Sequence, residues 1–178
     1  MTASKTFPNP AKWIGGAAVV GTAIALSPLK VPAIAYKLTA AIAAWESGWW
    51  VRRRLKRTAV YNQAKAYALQ INRPLVVIGA PDSGPTSGYG CGDLTLDIAP
   101  TQCPNSMVVD VTKPIPLPDD CCVVFCSCVL EYVDDHIAAI AEIQRISGGH
   151  AFFVGVEPWT LTAIAYPSAK RTLPPQYR

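Results

Sequence analysis

Apolar and polar positions divide this chain into two regimes. From Thr58 onward, apolar residues recur at helical spacing or in short runs, each closed by turn chemistry. Val60, Ala64, Tyr67, Ala68 and Ile71 fall at i, i+4, i+7, i+8 and i+11, which predicts an amphipathic helix over Thr58–Ile71, ended by Arg73-Pro74. Five runs then predict strands: Pro74–Ala80 (PLVVIGA), Asp93–Ile98 (DLTLDI), Ser106–Val111 (SMVVDV), Cys121–Cys128 (CCVVFCSC) and Ala151–Val156 (AFFVGV). Between the last two, Val133, Ile137, Ile140 and Ala141 form a helical stripe, closed by Gly148-Gly149 as a C-terminal cap. Near-continuous apolar strands bounded by turns imply a largely parallel sheet covered on both faces, an α/β doubly wound arrangement of about five strands. Such sheets bind ligands at the carboxyl ends of their strands.

Before Thr58 the pattern differs. Trp13 to Leu29 is seventeen positions without a charge, bounded by Lys12 and Lys30. As a helix it would span roughly 26 Å, the short end of what crosses a bilayer. Pro28 and Pro32 predict a bend, and a second apolar stretch, Leu38 to Trp50, carries one acid, Glu46. The expectation is a transmembrane or re-entrant helix followed by a separate interfacial one, with Trp45, Trp49 and Trp50 as an aromatic belt. Two other readings stay open, a cleaved signal peptide and a buried soluble hairpin. Five of the sixteen basic residues then fall within Arg52–Arg57. Such a collar prefers an anionic cytoplasmic face, which predicts membrane association through residues 13–57 with the following domain on the reducing, cytoplasmic side. A basic run can also hold nucleic-acid phosphates, but its position directly after three tryptophans favours lipid.

Composition narrows the class. The chain has 178 residues, of which 51% are hydrophobic and 16% charged, with a net charge of +4. Disorder is excluded by the apolar content, and the length suits one domain plus an appendage. The predicted organisation is an anchor with a basic collar over 1–57, an α/β domain over 58–160 and a proline-containing tail over 161–178. Six cysteines are too few for a disulfide scaffold. They lack the paired spacing of a zinc site, so no metal is expected, and they read as free thiols, with Cys91 the best candidate for a reactive one. His136 reads as a solvated or capping residue and His150 as structural. The Asp119-Asp120 and Asp134-Asp135 pairs read as turn and cap acids. Glycines in SGPTSGYGCG have neither P-loop spacing nor the following Lys-Ser/Thr, which removes nucleotide hydrolysis.

The stretch Ile115 to Gly149 resembles the heart of class I S-adenosylmethionine-dependent methyltransferases of the type 11 kind. It carries a Pro-hydrophobic-Pro-Asp turn (Pro116–Asp119), an apolar strand (Cys121–Cys126) and a Leu-Glu-Tyr-Val-Asp step (Leu130–Asp134). A helix bearing Glu-x-x-Arg (Glu142–Arg145), Gly148-Gly149 and a last strand follow in the same order. With the upstream strands the resemblance covers about Pro74 to Pro158. It implies a Rossmann-like fold and S-adenosylmethionine as cofactor. Asp97 would hold the ribose hydroxyls, Asp110 would face the adenine amine, and Val111 would supply backbone. The loop carrying Gly79, Asp82 and Gly84 would face the methionine part. The chain departs from the pattern at that loop, where VVIGAPDSG replaces an acid and a Gly-x-Gly-x-Gly turn. It departs again in a short first crossover, and in the absence of a final antiparallel hairpin. No methyl-acceptor base or catalytic residue is visible. The expectation is a membrane-anchored methyltransferase-like protein; the alternative is a non-catalytic structural module, built on a degenerate methyltransferase fold, in a membrane or virion-like assembly with protein partners.

Overall fold

A computed structural model describes residues 33–81, 88–155 and 175–177. The chain divides into two compact units, Met1–Ser47 and Gly48–Arg178. Among the described residues the first unit consists of the opening turns of helix α1 (Ala33–Gln70). There the hydroxyls of Thr39 and Ser47 donate back to the carbonyls of Ala35 and Ala43, while Tyr36, Leu38, Ile42 and Trp45 are exposed.

α1 corrects one expectation. The interfacial stretch and the Thr58–Ile71 helix are a single 38-residue helix, with the basic collar inside it. No proline falls between Ala33 and Gln70, and Arg, Lys and Leu are good helix formers, so nothing between Trp50 and Thr58 stops propagation. Pro32 immediately precedes the first residue, where a fixed φ is harmless. Among the described residues no helix is long and apolar enough to cross a membrane. The Trp13–Leu29 segment lies outside them.

In the second unit, β1 (Leu75–Ile78), β2 (Leu94–Asp97), β3 (Ser106–Val108), β4 (Val123–Ser127) and β5 (Ala151–Val154) form one sheet in the order β3-β2-β1-β4-β5. Every pairing is parallel. All five predicted strands are present, each shorter than its apolar run. Helix α2 (His136–Ser147) makes the β4–β5 crossover. Asp135 caps it by accepting from the Ala138 amide at 2.9 Å, and Gly148 ends it in the left-handed region. A single 3-10 turn at Pro175–Tyr177 sets the Tyr177 ring edge-on to Phe153 at 5.0 Å.

Strand alternation sends side chains to two separate cores. Val76, Ile78, Leu96, Val124 and Cys126 pack against Ala139, Ile143 and Ile146 of α2. Leu75, Val77, Val123 and Phe125 face Tyr61, Ala64 and Ala68 of α1. The C-terminal half of α1 therefore covers one face of the sheet and α2 the other, the coverage an all-parallel sheet requires.

The first crossover joins β1 to β2. Its described part, Gly88 to Asp93, has no helix and threads beside α1 as a glycine strap. Thr58 donates its hydroxyl to the Gly88 carbonyl, and Tyr61 donates to the Cys91 carbonyl at 2.9 Å. Asp93 donates its amide to the Leu75 carbonyl and accepts the Leu75 amide on its carboxylate, at 2.9 and 2.8 Å. A Cβ at Gly92 would stand 2.7 Å from the Leu94 carbonyl oxygen and closer still to that of Leu75. Only glycine lets the strap pass so near the sheet.

Candidate functional site

The strand order reverses direction between β1 and β4, and the crevice beyond their carboxyl ends is the topological switch point where doubly wound sheets bind ligands. Gly79 leaves β1 there at φ +100, and its amide donates to the Leu96 carbonyl at 2.9 Å. A Cβ on it would lie 2.8 Å from the Ser127 carbonyl oxygen and 3.0 Å from the Val129 side chain. Glycine is required on both counts.

Asp97 ends β2. Its carboxylate accepts from the Ala80 amide at 2.7 Å and from the Ala99 amide at 3.0 Å. One acid thus holds the loop after β1 against the end of β2. The next rung up, the Val109 amide on the Asp97 carbonyl at 2.8 Å, brings the end of β3 alongside. Asp110 follows at once and is exposed. Its carboxylate accepts from the Thr112 hydroxyl at 2.7 Å and the Thr112 amide at 2.9 Å, an Asx turn. The hydroxyl first and the amide second hold its carboxyl below the ordinary range. Asp97 and Asp110 therefore stand at the ends of neighbouring strands. Val111 is buried in the α2-side core, so only its backbone could serve a ligand. Asp82 and Gly84 lie outside the described residues.

The sequence reading missed what supports the loop from beneath. Tyr89 reaches from the strap to the Gly79 and Ala80 carbonyls, with its hydroxyl 3.4 and 3.2 Å away. Its ring stands edge-on to Phe125 at 5.1 Å and beside Tyr61 at 6.1 Å. Burial pushes its phenol well above the ordinary value, so it donates rather than ionises. An aromatic residue between two glycines was the only sequence signal.

On the β4 side, Cys128 sits just past the strand at φ +53, in the left-handed region, and Arg57 of α1 donates to its sulfur at 2.8 Å. Desolvation raises the thiol despite that guanidinium, and burial also raises Cys126 and carries Cys122 to about 12. These three, with Cys121, are free thiols as expected. Cys91 and Cys103 overturn the expectation for the other two: they form a disulfide. The parallel register explains it. Thr95 pairs with Ser106, so the residues leading into β2 and β3, eleven positions apart, lie side by side. Among the described residues no group of histidines, cysteines or acids could hold a metal ion.

The motif that carries the family resemblance turns out to hold a loop. Arg145 donates to the carbonyls of Ile115 and Leu117, each at 2.9 Å, and to the carboxylates of Glu142 and Asp119 at 2.5 Å each. Glu142 accepts the Ile115 amide at 2.6 Å. Glu-x-x-Arg on α2 thus clasps the Pro-x-Pro-Asp connection that delivers the chain from β3 to β4.

The five-stranded parallel sheet with helices on both faces is compatible with a Rossmann-like fold. No family model, curated protein or solved structure matches the chain.

Proposed function

We propose that this chain is a methyltransferase-like protein that binds S-adenosylmethionine by its adenosine end. One observation carries the reading: two carboxylates, Asp97 and Asp110, end adjacent parallel strands beside a glycine-started loop at the switch point. A carboxylate at the end of β2 suits a ribose diol, because it accepts two hydrogen bonds at once. One at the end of β3 suits an exocyclic amine. On the methionine side, Ala80 has its amide committed to Asp97 and its carbonyl to Tyr89, and Pro81 has no amide to give. That loop offers few donors to an amino-acid carboxylate. It favours the second reading, a domain that retains nucleotide binding or merely its scaffold and serves as a non-catalytic module in a membrane or virion-like assembly.

The membrane proposal rests on the sequence of residues 13–57, with the α/β domain on the cytoplasmic side. Its support among the described residues is local: the guanidinium of Arg52 lies 5.6 Å over the Trp49 ring, the aromatic-cation pairing that suits a headgroup layer.

Calorimetric titration of S-adenosylmethionine and S-adenosylhomocysteine into the chain tests the cofactor. Micromolar binding of both, weakened about tenfold by Asp97→Asn or Asp110→Ala, is the expected result; a tenfold loss corresponds to about 1.4 kcal/mol, one good hydrogen bond to a charged group. Absence of heat from a folded sample would leave the scaffold reading.

A further inference from the structure

The strap that makes the first crossover is tied at its base by the only covalent cross-link among the described residues, Cys91–Cys103. Two residues before that bond, Tyr89 supports the crevice loop by its hydroxyl. The remaining ties of the strap are hydrogen bonds, one each from Thr58 and Tyr61 and the Asp93–Leu75 pair at its end, and three of its first five residues are glycine. A glycine-rich segment loses more backbone entropy on ordering than any other, so a chain of this composition stays in place only where something holds it. Cys103 is buried and Cys91 is exposed, which leaves one sulfur open to attack from solvent. On the cytoplasmic side proposed above, a disulfide belongs to the transient, redox-sensing kind.

We propose that the Cys91–Cys103 disulfide is a redox latch that, through the strap and Tyr89, holds the Gly79–Ala80 loop in its binding geometry. A dithiol opens it. One thiolate attacks the exposed Cys91 sulfur, and Cys103 leaves as a thiolate and takes a proton. The second thiol of the reductant then displaces Cys91, which is protonated in turn, and the reductant departs as its own disulfide. With the bond open, the strap loosens, Tyr89 loses its fixed seat beneath the loop, and the loop must be ordered afresh by any ligand. The oxidised chain is thus the preorganised binder, and the reduced chain binds more weakly. The coupling to ligand rests on the adenosine reading; the latch itself does not.

The test compares the full chain, oxidised and after dithiothreitol, by amide hydrogen exchange and by titration with S-adenosylhomocysteine. Reduction should speed exchange at Ala80 and across Gly88–Asp93 at least tenfold while the β4 and α2 amides stay slow, and should weaken S-adenosylhomocysteine about tenfold. Cys91→Ser, at the exposed position, should match the reduced chain and no longer respond to dithiothreitol. Tyr89→Phe should speed Ala80 and leave the strap unchanged. Equal exchange in the two redox states would overturn the latch, as would a uniform rise that includes β4. Faster strap exchange with equal ligand affinity would overturn the coupling to the crevice. Faster strap exchange with no binding in either state would keep the latch and remove the adenosine reading instead.

Discussion

Gly79 concentrates the constraints of the crevice in one residue. Its left-handed backbone and the Ser127 carbonyl 2.8 Å from any added Cβ mean that Gly79→Ala must both strain φ and push β4 away. The expected cost is about 3 kcal/mol in urea unfolding, with an unchanged denaturant slope. Phe125 is as demanding for a different reason. It is fully buried, and its ring is gripped by Tyr61 at 5.5 Å and Tyr89 at 5.1 Å. Phe125→Ala should cost about 4 kcal/mol, the cavity adding to the lost transfer energy. Carboxylates set the acid limit. Glu142, held down chiefly by Arg145, and Asp110, held down chiefly by Thr112, both titrate lower in the folded chain than their ordinary 4.5 and 3.8. Each therefore contributes stability that is complete above those values and is lost as pH falls through the folded ones. Stability should be flat in these groups from pH 7 to about 5 and decline below about 4.5. Glu142→Gln should flatten the start of that decline in thermal melts taken at successive pH.

Caps, clasps and the strap act at the scale of elements. α2 starts where Asp135 accepts the Ala138 amide and stops where Gly148 turns left-handed, and both signals were present in the sequence. Asp135→Ala should lower stability by about 1 kcal/mol in the same unfolding assay. α1 was read as two helices because hydrophobic periodicity changes at the collar. Periodicity reports which solvent a face meets, and a helix can pass from one environment to another without a break in its hydrogen bonds. The strap was read as a crossover too cramped for a helix. Over its described part, Gly88 to Asp93, the crossover has no helix, and Tyr89 packs there with α1. Nothing local in GYGCGD announces this, because the surfaces it packs against belong to residues some thirty positions earlier and later.

At the scale of the whole molecule, the basic collar lies in the same helix, α1, that covers one face of the sheet. If the collar engages an anionic surface, each basic residue near it contributes about 1 kcal/mol. Replacing Arg52 and Arg54 together with Gln should then weaken binding to phosphatidylserine-containing vesicles about 30-fold in flotation, with little change on neutral vesicles. Raising the salt should have the same effect on the native chain, because the Debye length shrinks from about 10 Å at 0.1 M to about 3 Å at 1 M. Equal flotation of variant and native chain on anionic vesicles would remove the collar from the interaction.

By itself the sequence determined what depends on neighbours along the chain: five apolar runs that form strands, the amphipathic stripe of Val60 to Ile71, the caps of α2, and carboxylates at two strand ends. These are properties of period, propensity and turn chemistry, which act over a few residues. Tertiary structure alone decided which distant groups meet. The pairing of Cys91 with Cys103 follows from the parallel register of β2 and β3. Tyr89 beneath Gly79, Arg57 on Cys128 seventy-one positions away, and the Arg145 clasp on Ile115 and Leu117 follow from how the strands are ordered and covered. Local pattern cannot encode such contacts, because their geometry exists only once non-local burial has fixed the order of the sheet.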